Sequence, residues 1–178
     1  NAQGEYYVTD LIEHARAEGA TLLVLPELAI TAYGCEDAFF MDGLQDTAFE
    51  QLEQLAQLTR GMVVAVGLPV YHEKALYNAA ALLVDGSLAG FAAKQFLAGD
   101  GIHYEPRWFK AWPAGEVDIL ERTAPDGTIH RFPIGDLLFD VGDIRIGFEI
   151  CEDAWVANRP GTDLALRGAD ILCNPSAS

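Results

Sequence analysis

The sequence predicts an α/β layered domain with mixed sheets, and two observations predict it. Segments with helical spacing of apolar residues alternate with short apolar, β-branched runs, in the order helix, strand, helix, several strands, helix, strand. Among the strands, Asp85-Gly86 and Val141-Gly142-Asp143 each separate two apolar runs, which is a hairpin signal and so argues against a purely parallel sheet. A length of 178 residues, 51% hydrophobic and 21% charged, fits one domain with a packed core over 1–178.

The elements follow in order. Residues 5–18 place Tyr7, Leu11, Ile12 and Ala15 on one helical face, and Gly19 ends the helix. Residues 21–26 read as a buried strand. Residues 34–45 form a loop rich in acidic and aromatic groups. A second helix over about 46–59 turns Phe49, Leu52, Leu55, Ala56 and Leu58 inward. A strand at 61–67 ends at Gly67-Leu68-Pro69, and strands at about 77–84 and 87–93 flank Asp85-Gly86. Residues 95–133, with Trp108, Phe109, Trp112 and several glycines and prolines, read as one long irregular connection, a kind that usually carries function. A second hairpin joins about 136–140 to 143–150. A short helix near 161–168 and a strand at 170–174 follow. The chain opens directly into a helix and stops just after a buried strand, so it is expected to be a piece of a longer polypeptide.

Charge and cysteine content narrow the classes of function. A formal charge of −16 argues against a nucleic-acid surface, which requires clustered Lys and Arg. No apolar run reaches the ~18–20 residues of a membrane helix, and no basic segment followed by an apolar one marks a secretory signal. Cys35, Cys151 and Cys173 form neither a disulfide framework nor a C-x-x-C zinc site, which fits a reducing compartment. A cytoplasmic protein without membrane or nucleic-acid partners is therefore expected.

Cys151 carries the chemistry. It closes the run Ile144-Arg145-Ile146-Gly147-Phe148-Glu149-Ile150, where a strand gives way to a turn and a sulfur can be presented at a sheet edge. A thiolate nucleophile needs a base and a cation. Two other strand ends supply them: Leu25-Pro26-Glu27 ends in a carboxylate, and Phe91-Ala92-Ala93-Lys94 ends in an ammonium. Amide hydrolysis requires these parts: a nucleophile (Cys151), a proton shuttle (Glu27), and an oxyanion stabiliser (Lys94, aided by the backbone N–H of Glu152).

Glu27 in Leu25-Pro26-Glu27-Leu28, Lys94 in Ala93-Lys94-Gln95 and Cys151 in Ile150-Cys151-Glu152-Asp153 together resemble the Glu-Lys-Cys triad of the nitrilase, or carbon–nitrogen hydrolase, superfamily. Pro26-Glu27-Leu28-Ala29-Ile30-Thr31-Ala32-Tyr33, the stretch Lys94-Gln95-Phe96-Leu97-Ala98-Gly99-Asp100-Gly101, and Tyr104-Glu105-Pro106-Arg107-Trp108-Phe109 are similar to the glutaminase domain of the glutamine-dependent NAD synthetases. The resemblance implies a nitrilase-type α-β-β-α sandwich, truncated at both ends in this chain. It implies hydrolysis of the glutamine side-chain amide through a cysteine thioester, with Glu105 as a supporting acid. Tyr33, Glu152, Trp155, Ser176 and Ser178 are the implied substrate-binding residues, the last two within Asn174-Pro175-Ser176-Ala177-Ser178. It implies no metal or cofactor for the hydrolase itself. ATP and Mg would belong to a synthetase domain outside this chain, which would take the ammonia to deamido-NAD. Glutamine, that synthetase domain and further copies of the protein are the implied partners.

Each residue also has a plain structural reading. A buried Cys is usually core packing, Glu27 after a proline can simply end a strand, Lys94 can be solvated, and Tyr33 can be loop packing. Cys35 and Cys173 read as loop and strand core. Two other functions remain open at this point: a free-standing amidase, nitrilase or carbamoylase with the same triad, and a catalytically inactive interaction module. A Cys-His hydrolase would need His14, His72, His103 or His130 beside Cys151.

Overall fold

The computed structural model describes residues 2–99, 104–124 and 126–177. Among these, a six-stranded sheet has the order β1-β2-β3-β4-β6-β5 and a three-stranded sheet the order β7-β8-β9. In the first sheet, β1 (Leu22–Val24) runs parallel to β2 (Val63–His72), β2 forms an antiparallel hairpin with β3 (Ala75–Val84), and β3 forms another with β4 (Ser87–Ala93). Antiparallel β5 (Val117–Thr123) and β6 (Ile129–Gly135) join through β6, parallel to β4. In the second sheet, β7 (Leu138–Val141) pairs antiparallel with β8 (Ile144–Phe148), and β8 pairs parallel with β9 (Ile171–Cys173).

Strand alternation builds the layers. Val64, Val66, Leu68 and Val70 of β2, and Tyr77, Ala79, Ala81 and Leu83 of β3, pack with Val8 and Ile12 of α1 (Ala2–Ala17) and with Phe49, Leu52 and Leu55 of α2 (Leu44–Gln57). The opposite faces carry smaller residues. Ala65, Ala80, Leu82 and Ala92 meet Phe139, Ile146, Phe148 and Ile150 between the sheets. Beyond the second sheet, Leu164 of a short helix (Pro160–Leu166) packs close over Gly147. The order helix, sheet, sheet, helix is the expected α-β-β-α sandwich.

Four expectations are corrected. The supposedly irregular stretch 95–133 contains α3 (Glu105–Trp108) and both β5 and β6. β5 hid because it buries only Leu120, so its pattern is polar with exposed Val117 and Ile119. Second, β2 runs through Pro69 to His72, where β3 begins after a two-residue turn at Glu73-Lys74. Those residues take φ of 45° and 68°, values that sequence reading expects of Gly or Asn. Pro69 is tolerated because β1 pairs with β2 only as far as Ala65, leaving the proline on an open edge. Third, the second hairpin is reached through β6, which ends at Gly135, and its first strand is 138–141. Fourth, Tyr7 is exposed and Val8 takes its place on the inner face of the first helix.

Candidate active site

Glu27 is placed by a close crossing of two backbones. After β1 the chain stays on the β2 edge, with Leu25 N–H donating to Ala65 O at 2.9 Å and Ile30 N–H to Gly67 O at 3.1 Å. Between these bonds it passes directly over Gly67. A Cβ on Gly67 would lie 2.3 Å from Leu28 N and 2.6 Å from Pro26 O. Only glycine permits this approach, and it carries the buried Glu27 side chain to the end of the inter-sheet space.

Lys94 continues β4 on the same face as Ala92. Its N–H donates to Asn78 O at 2.9 Å, and its carbonyl accepts from Trp112 N–H at 2.9 Å. With no exposed side-chain surface, Lys94 Nζ donates to Glu27 Oε1 at 2.6 Å and to Glu105 Oε2 at 2.7 Å. Asn78 Nδ2 donates to the same Glu27 oxygen and to Glu105 Oε1, each at 2.7 Å. Glu105 also accepts from Ala98 N–H at 2.6 Å, which closes the loop after Lys94. Among the described residues, no hydrogen bond reaches Glu27 Oε2.

Cys151 opens a 3-10 turn (Cys151–Ala154) at the end of β8 with φ of 47°, a left-handed conformation unusual for a residue with a Cβ. Its N–H donates to Pro175 O at 3.1 Å, and Ser176 Oγ donates to its Sγ at 3.3 Å. The Glu152 amide lies in the first turn of this segment, where amides have no intrahelical partner. Asp153, also buried, turns back to accept Ile150 N–H at 2.8 Å through Oδ2 and Phe96 N–H at 2.7 Å through Oδ1.

Glu27, Tyr33, Cys151, Glu152, Trp155, Ala98 and Ala177 line one narrow cavity of about 80 Å³. Tyr33 and Ala177 also border a wider cavity of about 860 Å³ that continues toward Asp37, Tyr104, Arg107 and Trp108. The fold thus brings together Glu27, Lys94, Glu105 and Cys151, with Tyr33, Glu152, Trp155 and Ser176 around them; Ser178 lies outside the described residues. Among the described residues, none lining the narrow cavity is a histidine; His103 lies outside the described residues. Asn78 and Asp153 were not singled out from sequence as site residues. The signal for Asn78 was available: it is the lone polar residue in the buried run Leu76-Tyr77-Asn78-Ala79-Ala80-Ala81.

Burial sets the electrostatics. It pushes the Glu27 carboxyl above its ordinary range, and this outweighs the attraction of Lys94. Burial pulls on Lys94 in the opposite sense, but the carboxylates of Glu27 and Glu105 prevail and hold it as an ammonium. Tyr33 is likewise raised, by burial and then by the surrounding acids, and stays a neutral phenol. The site therefore combines a carboxyl that holds a proton more readily than usual, a fixed cation and a thiol.

Comparison with known proteins gives a consistent result. The carbon-nitrogen hydrolase family model matches residues 7–178. The glutamine-dependent NAD(+) synthetase of Oryza sativa subsp. indica is 34% identical over 184 residues, covering 96% of this chain and 24% of the relative. That of Saccharomyces cerevisiae is 35% identical over 176 residues, covering 94% and 24%. The chain thus spans about a quarter of the length of these curated relatives. Among solved structures, a glutamine-dependent NAD(+) synthetase from Cytophaga hutchinsonii superposes with a TM-score of 0.86 at 40% identity, covering 98% of this chain and 28% of that one. An amidase of the nitrilase superfamily from Nesterenkonia AN1 has a TM-score of 0.75 at 20% identity, covering 99% and 60%, and shares the fold.

Proposed function

The chain belongs to the carbon–nitrogen hydrolase family, and we propose that it is the glutaminase part of a glutamine-dependent NAD synthetase, releasing ammonia from the side-chain amide of glutamine. The observation that carries this reading is the wholly buried Glu27–Lys94–Glu105 cluster at the cavity that Glu27 shares with Cys151.

Glu27 Oε2 takes the Cys151 proton as the sulfur attacks the amide carbon. The Lys94 ammonium and the Glu152 amide stabilise the oxyanion that forms. Glu27 returns the proton to the nitrogen, the C–N bond breaks, and ammonia leaves a γ-glutamyl thioester. Water, deprotonated by Glu27, then attacks the thioester carbon; glutamate leaves and the thiol recovers its proton. Glu105 and Asn78 hold Lys94 and Glu27 in place. Tyr33, Trp155 and Ser176 border the substrate, with the amide in the narrow cavity and the amino-acid end in the wider one.

The two buried carboxylates are already bridged by the Lys94 ammonium, so this donor set suits protein groups rather than a divalent cation. ATP and Mg would serve a synthetase site elsewhere in the polypeptide, and no step here passes through them. Passage of ammonia to that site, and assembly of several copies, belong to the same reading.

A panel of amides, nitriles and carbamoyl compounds supplied to the full-length protein tests it. Ammonia release favouring glutamine over the panel is expected. Preference for another amide or a carbamoyl compound would make the protein an amidase or carbamoylase of the same family, and no turnover of any compound would make it an inactive module.

A further inference from the structure

Asp153 holds three backbone amides from two separate turns. Its Oδ2 accepts Ile150 N–H at 2.8 Å, and its Oδ1 accepts Gln95 N–H at 3.1 Å and Phe96 N–H at 2.7 Å. Ile150 immediately precedes Cys151, and Gln95 immediately follows Lys94. One buried carboxylate therefore ties the backbone beside the thiol to the backbone beside the ammonium, across 58 positions of sequence. No side chain of the described residues forms an ion pair with it.

We propose that Asp153 is a positioning residue that fixes the Cys151 turn against the Lys94 turn and so sets the distance from sulfur to ammonium. This rests on the glutaminase reading above, and it assigns to Asp153 a role that touches neither substrate nor reacting atoms. Two features support it. Cys151 sits at a φ of 47°, which backbone energetics disfavour, so something outside the residue must hold the turn in that shape. The Lys94 side chain is anchored from the other side by Glu27 and Glu105, so the remaining freedom between the two strand ends is the relative displacement of their turns. A carboxylate with both oxygens engaged can grip both turns. A carboxamide can accept through only one oxygen and must release one of them.

The three cysteines provide the test. In the full-length protein, iodoacetamide labelling of Cys35, Cys151 and Cys173 is followed residue by residue, alongside kcat and KM for glutamine, in the wild type and in the Asp153→Asn and Asp153→Ala variants. Cys173 is buried in β9 and reports loosening of the sheets. The expected result is a graded fall in both Cys151 labelling and kcat, about 10-fold for Asn and 100-fold for Ala, as misplacement of reacting groups by about 1 Å would give. KM should stay within about 2-fold, because the substrate-bordering groups are untouched, and Cys173 should stay unlabelled. Wild-type Cys151 labelling and kcat in both variants would overturn the proposal. So would a rise in Cys173 labelling that accompanies every loss of activity, since Asp153 would then be maintaining the fold. Wild-type Cys151 labelling no faster than that of Cys173 would instead overturn the glutaminase reading.

Discussion

Lys94 Nζ donates to Glu27 Oε1 at 2.6 Å, and neither side chain has exposed surface. Each ion has lost its hydration and depends on the other. In Lys94→Met, which keeps the stem and removes the charge, Glu27 and Glu105 face each other across an unneutralised gap. The variant is expected to lose roughly 3–5 kcal/mol of stability in denaturant unfolding. Glutamine turnover should fall by at least about 100-fold, as for loss of an oxyanion donor. Normal turnover from the folded variant would remove Lys94 from the chemistry.

Cys151→Ala is expected to eliminate ammonia release from glutamine. In the full-length protein, NAD synthesis supplied with free ammonia should remain within about 2-fold of wild type, because removing a nucleophile leaves an independent site intact. Equal loss of both activities would show that Cys151 supports the fold or a different reaction.

The pH profile of kcat/KM should report Glu27. Burial raises its pKa, and the base must be ionised in the free enzyme, so the midpoint of the acid limb is expected above 4.5, the ordinary glutamate value. The Asn78 hydrogen bond acts in the opposite sense by favouring the carboxylate. Asn78→Leu should therefore move the acid limb to still higher pH. A limb that stays in place would mean that another group controls it.

Asp153 contributes a pH dependence to stability. Burial pushes its pKa from 3.8 up to about 6, against the pull of its N–H donors. The folded chain therefore binds this proton more tightly than the unfolded chain does, and the associated stability is lost as pH rises from about 4 to 6. Asp153→Asn lacks this term. Relative to wild type, it should gain roughly 2–3 kcal/mol between pH 4 and 7 in urea unfolding, whatever its absolute stability. A difference independent of pH would show that Asp153 ionises normally.

Gly67→Ala puts a methyl group 2.3 Å from Leu28 N, where backbone rather than a flexible side chain must yield. A loss of at least about 1–3 kcal/mol in thermal or urea unfolding is expected. Turnover should also fall in the folded fraction, because the displaced segment carries Glu27. An unchanged melting temperature would show that the crossing is looser than its geometry implies.

Much of this arrangement was legible in the sequence, and the reasons are local. Lys94 directly follows β4, as the apolar run before it suggested, whereas Glu27 and Cys151 lie in turns three residues beyond the last residues of β1 and β8, which strand periodicity does not describe. The Asp85-Gly86 turn announced itself, with φ of 48° and 85° at its two central residues. The turn at Glu73-Lys74 did not, because its backbone shape is imposed by strand pairing on residues that do not favour it. β5 was hidden for a related reason: an edge strand that buries one side chain leaves little alternation to read. The site's connective residues were hardest to see. Asn78 and Asp153 act through partners dozens of positions away, and spacing carries no record of a contact made by folding.

That remoteness has a kinetic consequence. Glu27 and Lys94 are 67 positions apart, and Glu27 and Asn78 are 51. Contacts between distant positions incur loop-closure entropy before they are rewarded, so they form late and together. On the mechanism proposed above, a chain emerging from synthesis would carry Cys151 before the cation and base that the mechanism requires had assembled around it. The same holds for any excursion that separates the two sheets. Turnover would then belong to the completed fold, and partly folded molecules would lack the assembled group that the proposed hydrolysis needs.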